Sequence, residues 1–502
     1  MVMLIKRSIL FFLMIGTLSI QAESLKSVVE SVLDSSPTVQ ERLGNYRATR
    51  SAIDVAEAGY YPTLDIKSGV GRKGTGQLRD SLTKESYDVF QNSLVLRQNI
   101  FSGFSTHEQV QYQKMRTLAA AYSYLEKAND VTLQAITVYL ELQKNQALLK
   151  NAQKNVSSNE EIYKKVRKAF KAGLSTMSEV SKIHASLSLA KSNMMVQNNR
   201  LRTAQYNFQR VVGRKASISK LQKVNFKLKL PTAQRKAEVY ALEYNPSLLV
   251  GKYNIKGAEA LYRESKSAFM PKVDFEMTQN YNKNFNQFTG EDDRLQALLL
   301  VSYNLFNGGA DEAKKKIKLS ELSQEVSVVN DLRRQVIENV DLSWSFYLLA
   351  QEQMPFLRDY KKHSKKTLKF YTKEYTLGER SMLDLISAEN DLKRSKDELI
   401  SAQYALLLSK YRIMDSMGLT MVAVLGNEQE YYHRVGIGAD TRHIKEDENY
   451  GDLMRAMKKD KKHHYTSPIS RDKDKDRIPD MREISPNSKY INSVTHTGRR
   501  TK

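Results

Sequence analysis

The chain contains an internal repeat, and this repeat constrains the fold more than any other feature of the sequence. The segment Asn99-Ile-Phe-Ser-Gly103 matches Asn304-Leu-Phe-Asn-Gly308 at an offset of 205 residues, and the same offset aligns Gly173 with Gly378. One structural unit is therefore expected twice. The predicted parts are a leader at 1–22, a first repeat at 23–213, a linker at 214–233, a second repeat at 234–420 and a charged, disordered tail at 421–502.

Each repeat is predicted to contain a helix, two strands, a long helix, a turn and a further helix. Along the strands every second residue is apolar, which places the apolar side chains on one face of a sheet. This alternation covers residues 64–70, 90–100, 273–281 and 295–305. Polar loops are predicted between the paired strands, at Arg72–Glu85 and Asn282–Arg294.

The helices carry apolar residues at alternating steps of three and four, as at Ile183, Leu187 and Ala190. This spacing is typical of coiled coils. Many of the residues in these seams are small, which favours helices packed side by side in an array. Pro355 is expected to kink or break the long helix of the second repeat.

The predicted helix lengths indicate a regular arrangement. A helix over Phe104–Phe170 would be about 100 Å long. The helices predicted at Leu25–Ala58 and Ser175–Val212 would together reach about the same length if stacked end to end. Each repeat therefore predicts two helical columns of equal height.

The first 22 residues have the features of a secretory signal peptide. Lys6 and Arg7 precede an apolar run at Ile9–Leu18, and Ala22 offers a small residue before the predicted cleavage site at Glu23. The run is too short to span a bilayer as a helix. We therefore expect an exported protein.

Composition disfavours an enzyme. The chain has no cysteine, which excludes disulfide scaffolds, cysteine-ligated metals and thiol nucleophiles. The histidines of the body, His107, His184 and His363, are scattered along the sequence. No nucleophile–base pair, phosphate loop or metal cluster is recognisable.

Strand pairs with one apolar face, in an exported chain, predict insertion into a membrane as part of a closed barrel. The four strands of one chain cannot close a barrel. Two chains would supply eight strands, whose interior is filled by side chains, and three chains would supply twelve strands and a lumen. The physical interpretation is an oligomeric duct whose wall continues into the helical columns.

With these features the chain resembles the TolC family of outer-membrane efflux and type I secretion ducts. The resemblance covers about residues 24–420 and rests on the repeated unit, the Asn-Ile/Leu-Phe-x-Gly strand ends and the motif Tyr375-x-x-Gly378-x-x-Ser381-x-x-Asp384-Leu-Ile-x-Ala388. It implies a mostly α-helical fold with a membrane β-barrel. Three chains would form a twelve-strand barrel in the cell outer membrane and a barrel of twelve helical columns that extends into the periplasm.

The resemblance also implies a gate at two helical turns, which fall at Phe170–Ser175 and Tyr375–Ser381. Gly173 and Gly378 suit the left-handed conformation that ends a helix. The coiled coils would close the duct at these turns and untwist to open it. A plain helix–turn–helix with solvated charges is the alternative interpretation.

Specific gate residues follow from the family pattern. In the family a network at the closed tip joins an acidic residue after the first turn to an Arg and a Tyr at the second, and the matching residues are Glu179, Arg380 and Tyr375. Asp384 matches the first of two aspartates that ring the pore entrance. The second position holds Ser387, so we expect one acidic ring instead of two.

The partners implied by the resemblance are further copies in a homotrimer, a periplasmic adaptor (membrane fusion) protein, an inner-membrane ABC or proton-coupled transporter, and outer-membrane lipid. Basic residues near the ends of the long helices would dock an acidic adaptor or would only favour the helix C-termini electrostatically. They are Lys164, Lys165, Arg167, Lys168, Lys171, Lys361, Lys362, Lys365, Lys366, Lys369 and Lys373.

Other functions fit the sequence less well. The net charge of +23 invites a nucleic-acid partner, but the basic residues are spread over both repeats and the chain is exported, so no nucleic acid is expected. A periplasmic coiled-coil scaffold without a pore is the main alternative, although a scaffold has no use for strands with an apolar face. The cargo, a secreted protein or small toxic molecules, is left open.

No cofactor is expected, with one candidate exception in the tail. Carboxylates occupy positions 1, 3, 5, 9 and 12 of a calcium loop. They belong to Asp472, Asp474, Asp476, Asp480 and Glu483. Position 6, usually glycine, is Arg477, and flanking helix patterns are missing. A charged tail whose acidic residues happen to alternate is the other interpretation.

Overall fold

The computed structural model describes residues 23–75, 85–226, 228–284 and 290–426. The predicted leader and the calcium-loop candidate lie outside these described residues. The described part of the chain is mostly helical, as predicted.

The order of elements is the same in both halves of the chain, and two helices stand where one was predicted at the start of each half. The first half contains α1 (Leu25–Ser35), α2 (Pro37–Glu57), β1 (Thr63–Thr75), β2 (Glu85–Phe101), α3 (Ser105–Lys171) and α4 (Met177–Val212). The second half contains α5 (Gln234–Tyr244), α6 (Pro246–Glu264), β3 (Lys272–Lys283), β4 (Glu291–Ser302), α7 (Ala310–Thr376) and α8 (Met382–Ser416), and α9 (Thr420–Leu425) follows.

A proline divides the first helical segment of each half, where the sequence predicted one continuous helix over Leu25–Ala58. Ser36 and Asn245 have extended backbones directly before Pro37 and Pro246. A residue before proline avoids the helical conformation, and proline itself suits the first position of a helix. α1 therefore ends before Pro37, where α2 begins, and α5 ends before Pro246, where α6 begins.

The four strands form one antiparallel sheet in the order β1-β2-β3-β4. Leu64 lies opposite Leu96, Leu96 opposite Met277, and Met277 opposite Ala297. Directly opposed side chains share a face of an antiparallel sheet, so the register joins the four predicted apolar stripes. The stripe of β2 is interrupted at its end by an irregularity between Asn99 and Phe101, which leaves Ile100 out of the pairing. The resulting apolar sheet face consists of Leu64, Ile66, Val70, Phe90, Leu94, Leu96, Val273, Phe275, Met277, Tyr281, Leu295, Ala297, Leu299 and Val301.

The opposite face of the sheet is largely polar. Arg97 Nε donates to Glu276 Oε2 at 2.9 Å, and Asn99 Nδ2 donates to Asp274 Oδ1 at 2.7 Å, so both contacts connect β2 with β3. The two faces of the sheet therefore differ in polarity, as the alternation predicted.

The strand boundaries differ from the predicted ones. β1 reaches Thr75, and β2 and β4 begin at Glu85 and Glu291, because backbone pairing continues into polar sequence that was predicted as loop. β4 ends at Ser302 instead of residue 305. Ser302 pairs with Lys272, and the preceding Pro271 has no N–H with which to extend the ladder.

Two further expectations need correction. α7 continues through Pro355, so the expected break is absent, and the carbonyl of exposed Gln351, which loses its N–H partner at the proline, can bond water. The segment predicted as a tail from 421 begins with α9. Met421 and Val422 are buried there, and Met421 N–H donates to Asn129 Oδ1 at 2.9 Å.

The coiled-coil seam predicted for α4 is confirmed. Ile183, Leu187 and Ala190 are buried. Gln197, the polar residue of this seam, is also buried and donates from Nε2 to Asn145 Oδ1 of α3 at 3.1 Å. α3 and α4 therefore pack against each other from Val166 and Ile183 to Asn145 and Gln197.

The described residues fall into two compact units. One unit takes the described residues of 23–42, 124–246 and 334–426, and it contains the turns that end α3 and α7. The other takes the described residues of 43–123 and 247–333, and it contains the sheet. Each unit draws on both halves of the chain.

Among the described residues, no helix combines the length and the apolar character needed to cross a membrane.

Asp415, near the end of α8, is expected to make stability depend on pH. Burial raises its pKa to about 6, and the charge of Asp130 adds to this, while Arg412 and a hydrogen bond donated by Thr420 Oγ1 at 2.7 Å oppose it. Because the pKa of Asp415 in the folded chain lies above the ordinary value of 3.8, the protonated carboxyl group favours the folded state. This contribution to the free energy of unfolding is complete below pH 3.8 and is lost as the pH rises through about 6.

We therefore expect Asp415→Asn to raise the unfolding temperature at pH 7.5 and to raise it less as the pH falls toward 4. Circular dichroism melts of both proteins across this range measure the difference. A gain that does not change with pH would contradict the role of this carboxyl group.

Candidate functional site at the helical turns

The first turn reverses the chain between α3 and α4 with glycine in a left-handed conformation. Gly173 has φ of 74°. Its N–H donates to Phe170 O at 3.0 Å, and Leu174 N–H donates to Ala169 O at 2.8 Å. This pair of hydrogen bonds satisfies carbonyls at the end of α3 and defines a Schellman motif.

The second turn, between α7 and α8, has the same geometry. Gly378 has φ of 79°. Its N–H donates to Tyr375 O at 3.1 Å, and Glu379 N–H donates to Glu374 O at 2.9 Å. The predicted left-handed conformation of both glycines is confirmed.

The helix after each turn starts with a hydroxyl cap. Thr176 Oγ1 accepts from Glu179 N–H at 3.3 Å, and Thr176 N–H donates to Glu179 Oε2 at 3.4 Å, which completes a capping box. Ser381 Oγ accepts from Asp384 N–H at 3.2 Å and donates to Asp384 Oδ2 at 2.8 Å. Glu179 and Asp384 are separated by the repeat offset of 205 residues. The two acidic gate candidates are therefore equivalent residues of the two halves.

This capping role was not recognised from the sequence, although a signal for it was present. Thr176-x-x-Glu179 and Ser381-x-x-Asp384 both have the hydroxyl-to-acid spacing that marks a helix start. Each acid also lies in the first turn of its helix, where a negative charge interacts favourably with the helix dipole.

Arg380 is held by two side chains from the end of α7. Its Nε donates to Glu374 Oε2 at 2.9 Å, and its guanidinium carbon lies 4.4 Å from the centre of the Tyr371 ring. The hydrogen bond with Glu374 raises the pKa of Arg380, and the negative charge of Asp384 adds to this. Sequence reasoning did not find Glu374 or Tyr371, whose positions depend on how the turn folds back.

Tyr375 and Glu179 come close together although they belong to different hairpins. The first hairpin is α3 with α4, and the second is α7 with α8. Burial raises the pKa of Tyr375, and the nearby carboxylate of Glu179 raises it further. Glu179 Oε2 also accepts from Ser175 Oγ at 2.5 Å. Of the three predicted network residues, Glu179 and Tyr375 thus interact electrostatically, while the ion pair of Arg380 is with Glu374.

An apolar cluster beside the turns joins the hairpins. Its buried members are Val166 of α3, Ile183 of α4, and Met382, Leu385 and Ile386 of α8. Tyr371 and Tyr375 of α7 pack against it. Tyr371, which contacts Arg380, and Tyr375 therefore pack on a core shared by both hairpins.

The remaining predicted residues lie on exposed surface. Ser387 is exposed and stands three residues after the partly exposed Asp384, so both lie on one side of α8. The basic residues named above, near the ends of α3 and α7, are also exposed. Within the described ranges no group of three or more His, Asp or Glu side chains is placed to hold a metal ion.

The caps make a prediction about stability near the turns. Ser381→Ala and Glu179→Ala are each expected to lower the unfolding free energy by about 1 kcal/mol, whereas Glu179→Gln keeps the capping geometry and is expected to retain most of it. Thermal unfolding of the purified variants checks this. An equal loss of unfolding free energy in Glu179→Gln and Glu179→Ala would show that the charge of Glu179, not its capping hydrogen bond, stabilises the fold.

Comparisons with known proteins identify the family of this chain. The family model described as outer membrane efflux protein matches residues 28–214 and 239–419. The outer membrane efflux protein BepC of Brucella suis is 23% identical over 413 residues, which cover 81% of this chain and 87% of BepC. The alkaline protease secretion protein AprF of Pseudomonas aeruginosa is 22% identical over 413 residues, which cover 78% of this chain and 85% of AprF.

A solved structure shows the same fold. The Campylobacter jejuni CmeC outer membrane channel matches with a TM-score of 0.69 at 12% identity, over 82% of this chain and 89% of CmeC. Proteins of this kind are channel proteins, not enzymes. The chain therefore belongs to the outer membrane efflux protein family, which confirms its resemblance to the TolC family.

Proposed function

We propose that this chain forms the outer-membrane exit duct of a tripartite efflux or type I secretion system. Three copies would build a twelve-strand barrel in the outer membrane and twelve helical columns that extend into the periplasm. The duct is passive. An inner-membrane ABC or proton-coupled transporter, recruited through a periplasmic adaptor, drives cargo into it. BepC is named for efflux and AprF for protease secretion, so both classes of cargo fit the proposal.

The observation that carries this proposal is the apolar sheet face. Ile66 is 78% exposed and Leu299 66% exposed, although both lie on the apolar sheet face. A surface of this kind is unfavourable in water and marks an interaction site. Lipid would cover this face in a closed barrel. The sheet has to close because a membrane tolerates no unpaired strand edge. In this chain β1 and β4 are the edge strands, and β4 of one copy can pair with β1 of the next.

A second observation supports assembly through the helices. α7 carries exposed apolar residues separated by multiples of seven, the spacing of a coiled-coil seam. This α7 edge seam consists of Leu342, Leu349, Phe356 and Phe370. α4 presents exposed Leu189 and Val196, also seven residues apart. Packing of α7 from one copy against α4 of the next is a head-to-tail contact, which closes into a ring when repeated.

The gate of this duct is proposed to lie at the two turns. Glu179, Tyr375 and Arg380 would restrain the closed tip, and Asp384 of three copies would form one acidic ring. Carboxylates that converge on a narrow lumen repel one another and attract cations. Glu179 and Asp384 also cap helices, so opening of the tip would affect the first turns of α4 and α8.

The proposal is tested by fractionating cells that express the full chain. We expect the mature protein in the outer membrane, as an SDS-resistant species of three chain masses that becomes a monomer when boiled. A heat-insensitive monomer in the soluble periplasmic fraction would contradict the duct and would favour the periplasmic scaffold.

A further inference from the structure

A polar contact joins the two hairpins well away from the turns. Asn151 Nδ2 of α3 donates to Asp397 Oδ1 of α8 at 2.7 Å and to Lys393 O at 3.1 Å. Lys393 Nζ lies 2.6 Å from Asp397 Oδ2. Asn151 is only 6% exposed, so bulk water cannot replace these acceptors. These three residues are called the shaft clasp below.

The shaft clasp is separate from the gate residues at the turns. Asn151 lies 20 residues before Lys171, the end of α3, which corresponds to about 30 Å along the helix. Asp397 lies 15 residues after Met382, the start of α8, or about 22 Å. The residues that cap the helices or hold Arg380 are therefore more than three helical turns away.

Contacts inside the first hairpin connect α3 with α4, whereas the shaft clasp connects α3 with α8 of the second hairpin. Val156 of α3 packs against Leu187 and Ala190 of α4, and Asn145 bonds Gln197 of α4. These contacts move with the hairpin as one body. A movement of the first hairpin against the second leaves them intact but separates Asn151 from Asp397.

Like charges oppose the shaft clasp at the same level. Burial lowers the pKa of Lys396 in α8, and the charges of Lys154, Lys361 and Lys365 lower it further, against the effect of Glu389. Lys154 belongs to the first hairpin and the other lysines to the second. The repulsion between Lys154 and Lys396 acts between the hairpins and opposes their contact, while the hydrogen bonds of Asn151 hold them together.

We infer that the shaft clasp is a positioning element that restrains separation of the two hairpins, in addition to the contacts at the turns. Its role in gating rests on the proposed function as a gated duct. When the hairpins separate, Asp397 keeps its ion pair with Lys393, whereas the amide of Asn151 loses both acceptors. The restraint therefore resides mainly in Asn151.

The inference is tested by measuring the distance between the hairpins. Because the chain has no cysteine, spin labels can be attached through Leu174→Cys and Leu377→Cys, two exposed positions in the turns. Labelled chains are diluted into unlabelled ones and studied by double electron–electron resonance. Asn151→Leu, which removes the amide at similar volume, is expected to increase the fraction of long distances about tenfold.

A matched control separates restraint from general loosening. Gln197→Leu also removes a buried polar side chain, but its bond lies inside the first hairpin, so the distances are expected to stay as in the parent chain. Raising the salt from 0.1 to 1 M should screen the lysines and reduce the long-distance fraction in Asn151→Leu. A merely structural role of Asn151 predicts no such response to salt.

Two outcomes would overturn the inference. One is an unchanged distance distribution in Asn151→Leu, and the other is equal broadening in Asn151→Leu and Gln197→Leu. The distances are measured without any ionic current. A protein that conducts no ions would therefore contradict the proposed duct, while the inference about the shaft clasp would still be decided by the distances.

Discussion

Leu299→Arg is expected to abolish assembly in the outer membrane, whereas Leu298→Arg is expected to preserve it. The two leucines are neighbours near the middle of the apolar part of β4. The register places Leu299 opposite Phe275 on the apolar sheet face, and Leu298 opposite Glu276 on the other face. Arginine on the lipid side of a barrel costs about 2–4 kcal/mol at the bilayer midplane, and a trimer would contain three such residues.

The measurement is the amount of mature chain and of SDS-resistant trimer in the outer-membrane fraction. Since the two variants have the same composition and change adjacent residues, loss of trimer in Leu299→Arg alone would identify the lipid-facing side. Equal assembly of both variants would show that the apolar sheet face does not contact lipid.

Introducing glutamate into the α7 edge seam is expected to break the trimer. Phe356 is 76% exposed in the single chain, and Phe370 is also exposed. The substitutions Phe356→Glu and Phe370→Glu should therefore leave the fold of the monomer intact. In a contact between copies they would bury six carboxylates per trimer without partners, and burial of an unpaired charge is strongly unfavourable.

The matched control for this prediction uses exposed basic residues of the same helix, off the seam. Arg358→Glu with Lys369→Glu introduces two glutamates beside the seam positions and is expected to retain the trimer. Light scattering in detergent gives the mass of each complex, and circular dichroism monitors the helices. Trimers of equal stability in both double variants would exclude the seam as an interface.

The fold could be predicted to a large extent because its main signals are periodic. Alternation along the strands identified the apolar residues, and the register then placed all four stripes on one face. The ends of elements were less predictable. Polar residues at Thr75 and Glu85 continue the ladder because backbone pairing does not depend on side-chain polarity, and α7 passes Pro355 because an exposed carbonyl can bond water.

The candidate site could be predicted only in part. The glycines of the turns follow from local conformation, and the structure confirms Gly173 and Gly378 as left-handed. The partners of Arg380 could not be predicted, since Glu374 and Tyr371 become neighbours only after the turn folds back onto α7. The assignment of Glu179 and Asp384 to a gate stays a proposal.

Planar-bilayer conductance of the purified trimer tests whether this protein is a duct. We expect stable current steps that are blocked by divalent or trivalent cations, with the block relieved in Asp384→Asn. This substitution removes the charge of the proposed acidic ring and keeps an oxygen for the cap with Ser381. A trimer that is correctly placed in the outer membrane but carries no current would contradict the account.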